Sequence, residues 1–180
     1  MRVIAGRFGG RTLAAPRGRA TRPTPERVRE ALFSILGSVD DARVLDLFAG
    51  SGALGLEALS RGAAEVTFVD SAPAAVRAVR ANLDALGAEA EVRRADARAF
   101  LRNARASGRQ YDLVFLDPPY RSAAELGREL SEALPPVLSA GARVVSESDR
   151  RTPLELDLPL VHERRYGDTL IRIHHTTHDA

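Results

Sequence analysis

An apolar run, Leu113-Val114-Phe115-Leu116, ends in Asp117-Pro118-Pro119-Tyr120, and that order suits chemistry at an exocyclic amino group on a flat ring. The lone pair of such an amine is delocalised into the ring, so the nitrogen attacks poorly until acceptors for its hydrogens pull it toward tetrahedral geometry. Asp117 can supply a carboxylate oxygen and Pro118 a backbone carbonyl, held rigid by the Pro118-Pro119 pair because proline fixes φ and carries no N–H. Tyr120 offers a ring face for stacking. Alone, a Pro-Pro after a strand could be an ordinary loop stop, so the remainder of the chain has to decide.

A second group of residues bears on a ligand. Asp46-Leu47-Phe48-Ala49-Gly50-Ser51-Gly52 reads as a strand end opening into a helix, where glycines allow a tight turn and close approach to backbone N–H groups. A dinucleotide fingerprint would read Gly-x-Gly-x-x-Gly; here Gly50, Gly52 and Gly55 follow an acid, Asp46, that would repel a pyrophosphate. An acid there suits a cation such as the amino-acid end of S-adenosylmethionine. Asp70 and Asp96 fall at the tips of the next two expected strands, where one carboxylate could accept both hydroxyls of a ribose and the other an adenine amino group. Each alone is more often a helix N-cap. Four successive strand ends bearing Asp46, Asp70, Asp96 and Asp117 lie along the edge where α/β sheets bind ligands.

The elements that must position these residues alternate. Short β-rich runs at 43–47, 65–69, 90–94, 111–116 and 142–148 are separated by helical segments at 53–60, 73–86, 97–105 and 123–133, with Gly62, Gly87 and Gly108 as stops. The pattern predicts a mainly parallel sheet covered on both faces, followed by an antiparallel hairpin, 158–166 and 169–174, around Gly167-Asp168. Upstream, Arg2–Ala5 and Arg11–Leu13 flank Gly9-Gly10 as a small hairpin. A Pro/Gly/Arg-rich stretch from Ala15 to Pro23 follows, then a helix with Thr24 as N-cap, Pro25 at its first position, and Val28, Ala31, Leu32, Ile35 and Leu36 as its docking stripe. Its other face is expected to expose Arg27, Arg29 and Glu30. His174, His175 and His178 read as a frayed tail with no role.

Composition bounds the classes. The chain has 180 residues, 44% of them hydrophobic, enough for one compact domain plus an appendage. Without cysteine there are no disulfides, no thiolate metal sites and no thiolate attack on a cytosine ring, which disfavours C5-cytosine methylation. No signal-like or membrane-length apolar stretch is present, so a cytoplasmic, soluble protein is expected, without metal and as a monomer. Residues 1–29 carry eight arginines against one acid, while residues 30–180 carry eighteen against twenty-three. A basic arm thus precedes an acidic body, the footprint of a protein that grips phosphates, and Arg7, Arg11, Arg17, Arg19 and Arg22 are the expected contacts.

The opening Arg2-Val3-Ile4-Ala5-Gly6, the segment from Arg22-Pro23-Thr24 to Phe33, the run Asp46–Gly62, the Asp-Pro-Pro-Tyr and the closing Tyr166-Gly167-Asp168-Thr169 together resemble the class I S-adenosylmethionine-dependent methyltransferases. Within them the chain is similar to the bacterial RsmD-type enzymes, which methylate guanine N2 in small-subunit ribosomal RNA. The resemblance implies an α/β, Rossmann-like, doubly wound seven-stranded sheet. It implies S-adenosylmethionine bound by Asp46, Phe48, Ala49, Gly50, Gly52, Asp70, Asp96 and Ala97, and catalysis by Asp117, Pro118, Pro119 and Tyr120. Thr24, Arg27, Tyr166 and Thr169 would join the arm in binding ribosomal RNA or an assembling small subunit. Residues 1–37 would form the RNA-binding appendage and 38–180 the methyltransferase domain. The ribose acid, commonly glutamate in such enzymes, is Asp70. An Asp-Pro-Pro-Tyr motif also fits DNA adenine-N6 or cytosine-N4 methylation, and a non-catalytic RNA-binding protein is a further alternative.

Overall fold

The computed structural model describes residues 1–18, 23–119 and 123–177. Seven strands form one sheet in the order β3-β2-β1-β4-β5-β7-β6: β1 Arg43–Asp46, β2 Glu65–Asp70, β3 Glu91–Arg94, β4 Tyr111–Leu116, β5 Leu138–Asp149, β6 Leu160–Tyr166 and β7 Thr169–His175. β1 to β5 are parallel, and β7 and β6 add antiparallel. The chain runs outward from β1 through β2 to β3, then returns to the other side of β1 for β4 and β5. This reversal leaves a crevice outside the carboxyl ends of β1 and β4, where no crossover helix fills the space.

Helices cover both faces. On one, α1 (Glu26–Leu36), α2 (Ala53–Ser60) and α3 (Pro73–Leu86) bury Leu32, Phe33, Leu56, Val79 and Leu83 against Val44, Val66, Phe68 and Phe115. On the other, α4 (Ala97–Ala106) and α5 (Ala123–Ala133) bury Phe100, Leu101 and Leu130 against Leu45, Val114 and Leu116. Neighbouring residues of one strand thus enter different cores, as a period of two requires. Full burial of each such side chain stabilises by roughly 1.5–3 kcal/mol, so β4, apolar on both faces, anchors the crevice.

The N-terminal segment is part of this body. Arg2 bridges Thr12, and Val3 and Leu13 are buried in the same core as α1 and α2. Glu57 of α2, fully buried, accepts hydrogen bonds from the N–H groups of Ile4 and Ala5 and from Arg61 Nε. Gly6 has φ +82°, and a Cβ there would stand 1.9 Å from the Ser60 carbonyl oxygen; only glycine lets the hairpin lie this close.

Three expectations are corrected. Thr24 is not the N-cap of α1: Pro25 holds that place without a side-chain cap, and the Thr24 hydroxyl is buried and donates to Glu147. Arg29 does not face solvent. It is fully buried, donating to the Arg2 carbonyl at 2.7 Å with Glu57 at 3.7 Å, because a buried carboxylate needs a counter-charge. His174 is no frayed tail but a β7 residue, 2% exposed and opposite Val144. His178 lies outside the described residues.

Candidate active site at the sheet switch point

A cavity of about 730 Å³ opens at the carboxyl edge of the parallel strands, within the size range of small-molecule sites. Asp46, Phe48, Ala49, Gly50, Asp70, Asp96, Ala97, Asp117, Pro118 and Pro119 all line it. The structure therefore brings together nearly every residue expected at the ligand and catalytic positions. Gly52 stands behind the wall. Its φ of +82° turns the chain into α2, and a Cβ there would be 3.2 Å from Phe68 and Val79. Tyr120, Arg19 and Arg22 lie outside the described residues.

The acids are tied to the loops they hold. Asp46 Oδ2 accepts from Gly55 N–H at 3.0 Å, fixing the start of α2. Asp70 accepts from Gly50 N–H and Ala72 N–H, both at 2.9 Å, shaping the glycine loop. Asp96 is an N-cap after all, Oδ1 accepting from Arg98 and Ala99 N–H, yet it also borders the cavity. Capping and ligand binding are compatible here because a carboxylate offers about four lone-pair sites.

Register explains the electrostatics. Asp46 and Val145 both stand opposite Phe115. Two residues farther along, Asp117 and Glu147 follow on that same face. Burial, opposed by the Gly55 N–H and reinforced by Asp70, lifts the Asp46 carboxyl from 3.8 to about 7. Burial and the charges of Glu147 and Asp46 push Asp117 well above the usual carboxylate range. Burial also raises Glu147, against the stabilising hydroxyl of Thr24. No arginine among the described residues pulls any of the three back down. Such a site is starved of positive charge, and a ligand carrying an ammonium and a sulfonium would supply it.

Glu147 was missed in the sequence, although its signal was legible: an acid at the end of the apolar strand run Val144-Val145, as with the other four. Its partner, Thr24, lines the cavity together with Ala15, Pro16 and Pro23, so the chain preceding α1 forms part of the wall.

The residues expected to meet RNA are more scattered. Arg7 lies with its guanidinium 4.5 Å above the Phe8 ring, and Arg17 and Arg27 are exposed. Arg11 donates to the Ala85 carbonyl at the end of α3. Tyr166 and Thr169, half-buried, flank the β6–β7 turn; they do not line the cavity, but β5 and β7 carry this turn past the same carboxyl edge.

The model of the family described as "Conserved hypothetical protein 95" matches residues 1–175. The chain belongs to this family. Its resemblance to RsmD-type methyltransferases is borne out by its relatives. It is 46% identical over 123 residues to Ribosomal RNA small subunit methyltransferase D of Escherichia coli K12, 67% of this chain and 61% of that protein. It is 38% identical over 185 residues to YlbH of Bacillus subtilis, 97% and 98% of the two chains. The solved structure of Escherichia coli yhhF superposes with a TM-score of 0.83 at 36% identity, covering 98% of each chain. The expected fold, including the C-terminal antiparallel strands, is thereby established.

Proposed function

We propose that the chain transfers a methyl group from S-adenosylmethionine to N2 of a guanine in small-subunit ribosomal RNA. The observation that carries this is the cavity at the switch point, where Asp117-Pro118-Pro119 faces the same space as Asp46, Asp70 and Asp96. When bound, the methyl donor supplies an electrophilic carbon; Asp46 and the glycine loop would hold its amino-acid end, Asp70 its ribose, and Asp96 with Ala97 its adenine. Asp117 and the Pro118 carbonyl accept the amine hydrogens, localising the lone pair on nitrogen. After transfer the nitrogen is cationic and sheds a proton easily. Asp117, raised by its surroundings, is a suitable acceptor. Tyr120 would stack on a base swung out of its helix, offsetting a few kcal/mol of unstacking with about 1–3 kcal/mol.

Residues 1–37 serve as the RNA-binding appendage of a catalytic unit, 38–180, with Arg7, Arg17 and Arg27 free to meet phosphates and Arg11, Arg19, Arg22, Thr24, Tyr166 and Thr169 as further candidates. The curated relative's name supports small-subunit ribosomal RNA as the substrate, and a cytoplasmic site of action follows from that substrate. Asp117→Ala should abolish transfer of tritiated methyl to small-subunit RNA while the methyl donor binds as before by calorimetry. Nuclease digestion should place the label in N2-methylguanosine. Label in duplex DNA instead, or undiminished transfer by the variant, would overturn the assignment.

A further inference from the structure

The arm is not the sole basic surface. Residues 71–110 hold eight arginines against four acids, inside a body that is otherwise acidic. On α4, Ala97, Phe100, Leu101 and Ala104 are buried, so Arg98, Arg102 and Arg105, at i, i+4 and i+7, form one exposed row about 10 Å long. Arg98 borders the cavity and is held by Glu129 at 2.8 Å. Arg102, Arg105 and Arg94, the last residue of β3, make no ion pair among the described residues, whereas Arg43, Arg93 and Arg109 are each held by a carboxylate.

We propose that this row is a second phosphate track, leading an RNA strand out of the cavity along the face opposite the arm. The arm packs with α1, α2 and α3; α4 lies across the sheet. A strand whose base enters at the carboxyl edge lies between the two surfaces and can be gripped from both. The neighbouring α5 exposes Glu125 and Glu132, which repel a polyanion and leave α4 as the favoured route. Guanidinium forks without carboxylate partners are free to take phosphate oxygens without first breaking an ion pair.

The inference rests on the proposed RNA substrate, and the test separates the two. R102Q/R105Q should melt and bind the methyl donor as the parent does, keep kcat, raise KM for substrate RNA at least fivefold, and make the plot of log affinity against log salt shallower by about 1.4. R128Q, on α5, should leave the RNA KM unchanged. An unaltered RNA KM and salt slope in R102Q/R105Q, or an equal loss per charge in R128Q, would overturn the track while leaving the methyltransferase reading intact. A parent protein that neither binds nor methylates RNA would sink both.

Discussion

Replacing Asp46 by asparagine separates what the fold tolerates from what the ligand requires. The Asp46 carboxyl is 2% exposed, and its pKa rises from 3.8 to about 7 on folding. The folded state therefore keeps a proton that the unfolded chain has already released between those values. Asp46's contribution to the stability of the ligand-free protein should fall as pH rises through this window, by about 1.4 kcal/mol per pH unit and about 4 kcal/mol in all. Asp46→Asn keeps an acceptor for the Gly55 N–H but does not titrate. The advantage of the variant over the parent should then grow by about 3 kcal/mol between pH 5 and pH 8, or about 6–12 °C in Tm for a chain of this size. Asp117 and Glu147 titrate in both proteins and largely cancel in the difference; easing Asp117 by removing its neighbour's charge works in the same direction. The same variant should lose affinity for the methyl donor, whose binding to the parent should strengthen with pH up to about 7 because the carboxyl must ionise first. Melting curves in a series of buffers, with calorimetric titration of the donor, read both effects. Parallel melting profiles for parent and variant across that range would refute the reasoning.

Other perturbations probe the surrounding supports. Glu147→Gln removes a charge that lifts Asp117, so the acid limb of kcat at saturating methyl donor should move to lower pH; an unmoved limb would exclude electrostatic coupling between the two. Glu57→Ala strips the fully buried Arg29 of its counter-charge and should cost about 3–5 kcal/mol in chemical denaturation. It should also expose the Ile4 and Ala5 amides to hydrogen exchange, and protection equal to the parent's would contradict the docking role. R7Q/R17Q/R27Q should flatten the salt dependence of RNA binding by about 2, without the damage that truncation would do by removing Val3 and Leu13 from the core. An unchanged slope would reduce the arm to a structural hairpin.

The strand and helix pattern was legible because alternation of apolar runs with glycine stops is local. Helices 53–60, 73–86 and 123–133 match the structure end to end. The strand beginning at Leu138 is longer than the expected run at 142–148 because Ser139 and Gly141 break its apolar pattern; its pairing with Tyr111 and Leu113 involves a register shift. Asp46, Asp70, Asp96 and Asp117 could be found from strand-end position alone. Arg29 carries a charge that points to an exposed position, although helical spacing sets it beside Leu32, Phe33 and Leu36 on the buried face of α1. Only the fold brings Glu57 against it.

What the sequence determined by itself was the kind of chemistry. Side-chain types and their placement at strand ends are properties of the linear chain, and the motif around Asp117 carries its meaning without coordinates. Tertiary structure alone decided the energetics of the site. Glu147 meets Thr24 across 123 residues, and Asp46 faces Asp117 because β4 returns to lie beside β1. Charges interact through space and solvent, not along the chain, so the crowding of these three acids became visible only when the sheet closed around them.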